Sequence, residues 1–539
     1  MYKRIALETG RSHDRPLARG TGPHRGGASR TPMMHGHEKS GPAVVAGKPV
    51  NEAVEEAATE LVEPRAGAKG NAREPDTSRM QNRTSVAQGL DRIRQAAKRE
   101  GIRFTSLLHH VSPASLSEAF HALKRDAAAG VDGVTWEEYA RGLEPRLDDL
   151  HTRVHKGGPY HPLPARRVYI PKPDGRQRPL AVAALEDKIV QRAVLEVLSA
   201  IYEEDFLGFS YGFRPGRSQH DALDALCTAI DRRKVNFIVD ADIRSFFDTV
   251  NHDWLIRFLE HRIGDVRIIR LIRKWLKAGV MENGLVSASE MGTGQGSVIS
   301  PLLANVYLHY ALDLWAEQWR KTEAEGDMVI VRYADDLVVG FEHEAEARRF
   351  LDAMRTRLEA FALTLHPEKT RIIAFGRHAA DGHDKKGKPD TFDFLGFTFM
   401  AAKSRKGGFL LKRKSRRDRV RSKLRQIKDT LRQKTHQPFD ETGRWLASVV
   451  RGFFNYHAVP TNSRTLAAFH YRVVMLWAAA YKRTSQRAYI TPQLLDRMRS
   501  YLPPPRILHP WPQQRFAVKH PRWEPYAGKP HVRFCAGGA

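Results

Sequence analysis

Met328-Val329-Ile330-Val331-Arg332-Tyr333-Ala334-Asp335-Asp336-Leu337-Val338-Val339-Gly340-Phe341 decides how the rest of this chain is read. Two apolar runs enclose a short polar turn, which is the pattern of a β-hairpin. Neighbouring carboxylates at its tip, Asp335 and Asp336, repel each other and resist joint ionisation. A divalent cation removes that penalty, and hard oxygen donors suit Mg²⁺. Taken alone, Asp-Asp reads first as a polar turn, since Asp is a common turn residue. A metal site for phosphoryl transfer needs a further carboxylate from another strand.

Phe237-Ile238-Val239-Asp240-Ala241-Asp242-Ile243-Arg244-Ser245-Phe246-Phe247-Asp248 supplies candidates. An apolar strand runs into Asp242, where a turn or helix begins. Asp242 at that strand end is placed to face Asp335 across a sheet, with Asp240 and Asp248 as competitors. Asp240 shares the strand face of Asp242 but sits deeper. Two metals about 4 Å apart would then clamp an attacking 3′-oxygen and a leaving pyrophosphate.

The bulk chemistry agrees with a polyanionic partner. The chain has 539 residues, with 88 Lys and Arg against 61 Asp and Glu, a net charge of +27. Nucleic acid is the commonest partner of such a surface, and an anionic membrane is the rival. No apolar run reaches the roughly 18 residues of a spanning helix, so none is expected. Two cysteines, Cys227 and Cys535, exclude a disulfide framework or a multi-cysteine zinc module and fit a reducing compartment. His509, His520, His531 and Cys535 are spaced too widely for a standard zinc set. The first residues lack a signal-peptide core, and Met33, Met34 and Met80 leave the start codon open.

Composition divides the chain into four parts. Residues 1–80, rich in Gly, Pro, Arg and His, read as a disordered extension. Residues 81–400 alternate strand-like and helix-like segments; among them Leu351, Met354, Leu358 and Phe361 form a helical stripe. His378 to Asp390 reads as a loop. Residues 401–500 are basic and helical. Lys403 to Lys434 holds fifteen Lys or Arg and two Asp; within it Val420, Leu424, Ile427 and Leu431 mark a helix with one narrow buried stripe. Such a charge bias favours phosphate contact over a solvated mixed-charge face. Residues 501–539 form a Pro- and aromatic-rich tail, expected to be extended.

At this point the chain resembles the reverse transcriptase/maturases encoded within group II introns. Tyr333-Ala334-Asp335-Asp336 is similar to their catalytic turn, and Asp242 to Asp248 to their first palm motif. That resemblance implies Asp242, Asp335 and Asp336 as metal ligands, and Phe247 as the block to a ribose 2′-hydroxyl. Ile170-Pro171-Lys172-Pro173-Asp174-Gly175-Arg176-Gln177-Arg178 resembles the finger strands around the incoming triphosphate. Lys172, Arg178 and Arg167 are the cations assigned there; a Lys charge and an Arg fork beside a Gly turn suit phosphate. Gly294-Gln295-Gly296 resembles the nucleotide-binding turn, with Gln295 and Gly296 as contacts. Ser210 to Ser218 resembles a block particular to this lineage and implies Arg214 and Arg217 on template or primer. Lys369, in Leu365 to Thr370, is the implied proton donor to pyrophosphate. Phe394-Leu395-Gly396-Phe397 resembles the primer grip. Past residue 400, Arg416, Arg417, Arg419 and Arg421 are implied contacts to intron RNA.

The resemblance spans roughly residues 85 to 500, with its blocks in the expected order. It implies an α/β right-hand polymerase, with fingers and palm over 81–400, followed by an α-helical thumb/maturase domain over 401–500. Two Mg²⁺ ions, deoxynucleoside triphosphates, an RNA template, a DNA primer or target and the intron RNA are the implied partners, with no membrane. The expected setting is a bacterial, cytoplasmic, nucleoid-associated ribonucleoprotein, with an organelle as the lesser alternative. Two departures stand out. Gly294 replaces the usual Pro of the nucleotide-binding turn, and the two cysteines cannot build the zinc-supported endonuclease of many members, so none is expected. A reverse transcriptase recruited to phage defence or diversity generation, and a maturase that only assists splicing, stay open as alternatives. The spacing of Asp242 and Asp248 also fits an RNA-making polymerase, but Phe247 and Tyr333 favour DNA.

Overall fold

The computed structural model describes residues 77–99, 101–156, 160–171, 177–282, 285–287, 291–294, 296–381, 389–484 and 489–519. Lys172, Gln295, His520, His531, Cys535 and residues 1–76 of the expected extension lie outside them.

The chain opens with helices α1 (Thr77–Ala97), α2 (Pro113–Ala122), α3 (Trp136–Ala140) and α4 (Leu143–His155). Leu90, Ile93 and Ala97 of α1 face the core. Strands β1 (Ala165–Pro171) and β2 (Gln177–Val182) follow, then α5 (Leu185–Asp205) and α6 (Gln219–Arg232). Strand β3 (Phe237–Asp242) leads through α7 (Phe246–Thr249) to α8 (His252–Arg262) and α9 (Val266–Lys277). Short β4 (Val280–Glu282) and β5 (Leu285–Ser287) complete an outer sheet of order β2-β1-β4-β5. Helix α10 (Ser300–Leu308) and a π-helical turn (His309–Asp313) run into α11 (Leu314–Thr322).

The sequence hairpin is then realised as β6 (Met328–Tyr333) and β7 (Asp336–Phe341), followed by α12 (Glu344–Glu359) and β8 (Arg371–Ala374). The sheet order is β6-β7-β3-β8, every pairing antiparallel. Its strands are apolar on both faces because both are covered. Ile330, Leu337 and Val339 join a core with α12, to which Leu351, Met354, Leu358 and Phe361 contribute. Ile238, Val331 and Val338 join a second core with α6.

Helix α13 (Gly376–Asp381) occupies ground expected to be loop from His378; Ala379 and Ala380 favour helix, and Ala379 is buried. Strands β9 (Thr391–Phe394), β10 (Phe397–Lys403) and β11 (Phe409–Ser415) form a third sheet. The basic run from Lys403 is therefore strand first and helix only from Arg417, in α14 (Arg417–Gln433). Helices α15 (Phe439–His457), α16 (Ser463–Lys482) and α17 (Pro492–Tyr501) complete a helical module. Pro460 separates α15 from α16, since proline cannot continue a helix interior. Leu424, Ile427 and Leu431 are buried as the spacing predicts, in a core of the module's own with Phe453, Phe469 and Trp477. The tail is extended to Trp511 and then helical in α18 (Pro512–Lys519), which the proline-rich composition did not suggest.

Candidate active site

Antiparallel pairing of β3 with β7 sets Asp242 directly opposite Asp336. Directly opposite residues share a sheet face. Tyr333 pairs with Asp336, leaving Ala334 and Asp335 as the two-residue turn. The expectation that Asp242 faces Asp335 thus shifts by one position: Asp336 is its ladder partner, and Asp335 caps the tip. Ala334 takes a left-handed φ of 57°, which is unfavourable for a residue with a Cβ. The surroundings hold it there.

Arg332, fully buried in β6, does most of that holding. Its Nε and Nη2 donate to the Asp313 carboxylate at 2.7 and 2.5 Å. Its Nη1 donates to the Ala334 carbonyl at 2.9 Å and to Asn305 Oδ1 at 3.1 Å, and Nη2 also donates to Ser210 Oγ at 2.7 Å. Asn305 Nδ2 donates in turn to the Gly212 carbonyl at 2.7 Å. A Cβ on Gly212 would collide with the Ala334 backbone, so glycine is required for the turn to seat. This cradle was missed from sequence; its one signal was a lone arginine inside an apolar strand.

Burial raises the Asp335 carboxyl above its ordinary value, and the nearby Asp242 charge adds to this; Arg178 and Arg332 oppose it. Asp336 is pushed up to about 7, first by the surrounding protein and then by Asp335, Asp242 and Asp240. Its side chain still opens to solvent, so crowding of carboxylates in an open cleft is the physical content. Asp240 lies deeper, 3.9 Å from the Arg371 guanidinium, and is raised to about 6 chiefly by burial. Lys369 Nζ lies 2.5 Å from Asp242 Oδ2. It is brought there by the His366 N–H, which donates to the Asp242 carbonyl at 2.8 Å.

These oxygen donors suit a hard divalent cation. Among the described residues, no three His, Cys, Asp or Glu side chains converge as a closed metal cage.

Around the cleft, Phe247 packs edge-on against Phe213 with ring centroids 6.2 Å apart. The Thr293 N–H donates to the Phe247 carbonyl at 2.7 Å, so the glycine-rich turn that follows docks on this segment. Gly296 has φ 108°, and a Cβ there would lie 3.1 Å from the Ala181 carbonyl of β2. Ser297 Oγ donates to buried Gln191 at 2.9 Å, anchoring the same turn. Arg178 on β2 is exposed and pairs across the ladder with Ile170. Arg167 is partly buried, 3.8 Å from Glu282.

Two expectations are corrected. Arg214 is buried and bound to Glu203 at 2.9 Å, with Nη1 donating to the Leu207 and Ser210 carbonyls. Arg217 Nη1 donates to the carbonyls of Gly208 and Ser210 at 2.7 and 3.1 Å. Both arginines brace the segment that carries Gly212, because a guanidinium is the donor best able to satisfy several inward carbonyls. On the helical module, Arg417 and Arg421 are exposed, and Arg419 is half-buried. Arg416 is held by Asp418 at 2.7 Å and Asp393 at 3.4 Å. A groove of about 420 Å³ between α14 and α16 has Arg425, Lys428 and Arg472 around an apolar floor of Leu424, Met475 and Leu476. No helix among the described residues is long and apolar enough to cross a membrane.

A family model for reverse transcriptase (RNA-dependent DNA polymerase) matches residues 170–399. Protein YkfC of Escherichia coli K12 is 36% identical over 350 residues, covering 58% of this chain and 87% of that protein. Group II intron-encoded protein LtrA of Lactococcus lactis is 34% identical over 275 residues, 49% of this chain and 45% of LtrA. A 91 kDa protein in the cob intron of Schizosaccharomyces pombe is 29% identical over 407 residues, 62% of this chain and 48% of that protein. The chain spans about half the length of the latter two relatives. The matched segment contains Asp242, Asp335, Asp336 and the cradle beneath them. The chain belongs to the reverse transcriptase family, among the reverse transcriptase/maturases of group II introns.

Proposed function

We propose that Asp242, Asp335 and Asp336 hold two Mg²⁺ ions, and that the chain copies an RNA template by adding deoxynucleotides to a primer 3′-end. The observation that carries this reading is the Asp242–Asp336 ladder pair with Asp335 at the adjoining tip. In each addition the 3′-hydroxyl oxygen bonds to the α-phosphorus. The bond from that phosphorus to the bridging oxygen breaks, pyrophosphate leaves, and the hydroxyl proton passes to solvent. Bound Mg²⁺ would neutralise charge at the attacking and leaving oxygens. Asp242 and Asp335 are the principal ligands and Asp336 supports them.

The other roles are those the family resemblance implies. Arg178, Lys172 and Arg167 receive the triphosphate. Phe247 closes the space a 2′-hydroxyl would need. Gln295 and Gly296 meet the nascent base pair. Lys369, already beside Asp242, protonates the departing pyrophosphate. Residues 81–400 act as fingers and palm and 401–500 as thumb.

Exposed Arg417 and Arg421 on α14 support a second role on the same chain, binding the host intron RNA to assist splicing. The setting proposed is a bacterial cytoplasmic ribonucleoprotein, consistent with relatives in two bacteria. The deciding experiment is primer extension on an RNA template with Asp335→Ala. Synthesis should fall on the order of 10³-fold or more while RNA binding persists; retained synthesis refutes the metal-site assignment.

A further inference from the structure

Residues 503–515 return from the helical module to the palm sheet's covering helix. The N–H groups of Leu508 and His509 both donate to the Ala458 carbonyl at the end of α15, at 2.9 and 3.1 Å. His509 Nε2 is 2.8 Å from the Asn455 carbonyl, and its ring stacks on His220 of α6 with centroids 4.1 Å apart. Gln513 Nε2 then donates to Asp231 at the far end of α6, at 2.9 Å. Arg515 Nη1 donates to Asp224 Oδ2 at 2.8 Å, and Nη2 donates to Asp221 Oδ1.

Asp221 and Asp224 are buried in α6, and each is already committed on its other oxygen. Asp221 Oδ2 accepts from the Ser218 N–H and hydroxyl in the helix cap, both at 2.8 Å. Asp224 Oδ1 accepts from Arg413 of β11 at 2.8 Å. Arg413 lies on the strand that leads out to the helical module, and Arg515 on the strand of chain that comes back. Buried Arg413 from the module's entry and part-buried Arg515 from its exit therefore meet on Asp224, and Arg515 reaches Asp221 as well. The closed set is charge-balanced, and buried charges persist where they are paired.

A helical module joined to the palm at one point can swing about it. Joined at two separated points, it is restricted. We propose that the 503–515 strap is a latch that limits thumb swing, and so keeps the enzyme on its template through successive additions. The proposal rests on the thumb reading above, and its test has a readout that needs no polymerase activity.

The full chain carrying Cys535→Ser receives spin labels at two exposed positions, Glu359→Cys on α12 and Gln433→Cys on α14. Distance distributions are compared with and without Arg515→Ala, alongside Arg515→Lys, which keeps one charge but cannot fork to two carboxylates. Amide exchange at Leu508 and His509 reports whether the strap has detached. Extension on a long RNA template in the presence of an enzyme trap gives the run length per encounter. Expected for Arg515→Ala are detachment of the strap, a broadened distance distribution, and a run length shortened about fivefold through faster dissociation. First-nucleotide addition should change by less than about twofold. An unchanged distribution with the strap detached overturns the latch, as does an unshortened run. A broadened distribution in a protein whose parent makes no DNA sustains the latch and removes the polymerase reading instead. If Arg515→Ala unfolds, Arg515→Lys carries the same comparison.

Discussion

Arg332 and Arg417 bring the same guanidinium to opposite uses. In the palm, Arg332 is wholly enclosed and donates to a carboxylate, an amide and the carbonyl that precedes Asp335. In the helical module the core is apolar, and Arg417 and Arg421 stand in solvent on the far face of α14. The palm uses cations as struts that hold a strained turn, and the module uses them as a surface field. Net charge therefore overstates the nucleic-acid footprint. Arg214, Arg262, Arg332 and Arg413 are all buried and contribute to folding rather than to a polyanion's grip.

The sharpest break of this contrast is at the carboxylates. Asp242→Ala should reduce DNA synthesis by on the order of 10³-fold, measured by single-turnover extension, and leave the salt dependence of RNA binding untouched. Next comes the strut. Arg332→Ala leaves Asp313 buried without its cation and should cost about 3–5 kcal/mol in denaturant unfolding. The double variant Arg332→Met/Asp313→Leu should recover most of that stability while synthesis stays low by roughly 10²-fold, because the turn is no longer positioned. Recovery of both together would mean that the cradle serves stability alone.

Arg214→Gln tests the corrected assignment. It should lower unfolding stability by about 1.5–3 kcal/mol, as hydrogen bonds to a charged group are lost, with no change in the salt slope of binding. The smallest effects belong to the surface. Arg417→Gln and Arg421→Gln should each shave about 0.7 from the slope of log affinity against log salt on single-stranded RNA, with stability unmoved. Arg416→Gln should change the slope less than either, because Asp418 and Asp393 already hold it. Equal slopes for all three would erase the distinction between strut and field.

Much of this was legible beforehand. The hairpin, the α12 stripe of Leu351, Met354 and Leu358 and the α14 stripe of Leu424, Ile427 and Leu431 follow from local periodicity, and the structure buries each one. Asp242 was legible as a carboxylate at the end of an apolar strand. Its partnership with Asp336 rather than Asp335 was not, since ladder register depends on where a turn tightens. The Arg332 cradle draws on Ser210, Asn305 and Asp313, which no local pattern connects. The inward turn of Arg214 escaped for the same reason: an arginine's sequence neighbours do not reveal which carbonyls its long side chain will reach. The helix at Pro512–Lys519 was hidden by a proline-rich composition, yet Pro at a first helical position is well tolerated.

The ladder between β3 and β7 is also a ruler with divisions one residue wide. Side chains alternate faces along a strand, so deleting the first residue of β7 while the hairpin keeps its turn would send every following side chain of β7 to the opposite face. Asp336 would be lost from the cleft, and Leu337 would take its place opposite Asp242. In-frame length variation should accordingly be tolerated in the surface segments between elements and lethal to DNA synthesis between Tyr333 and Phe341, even where every residue type is kept.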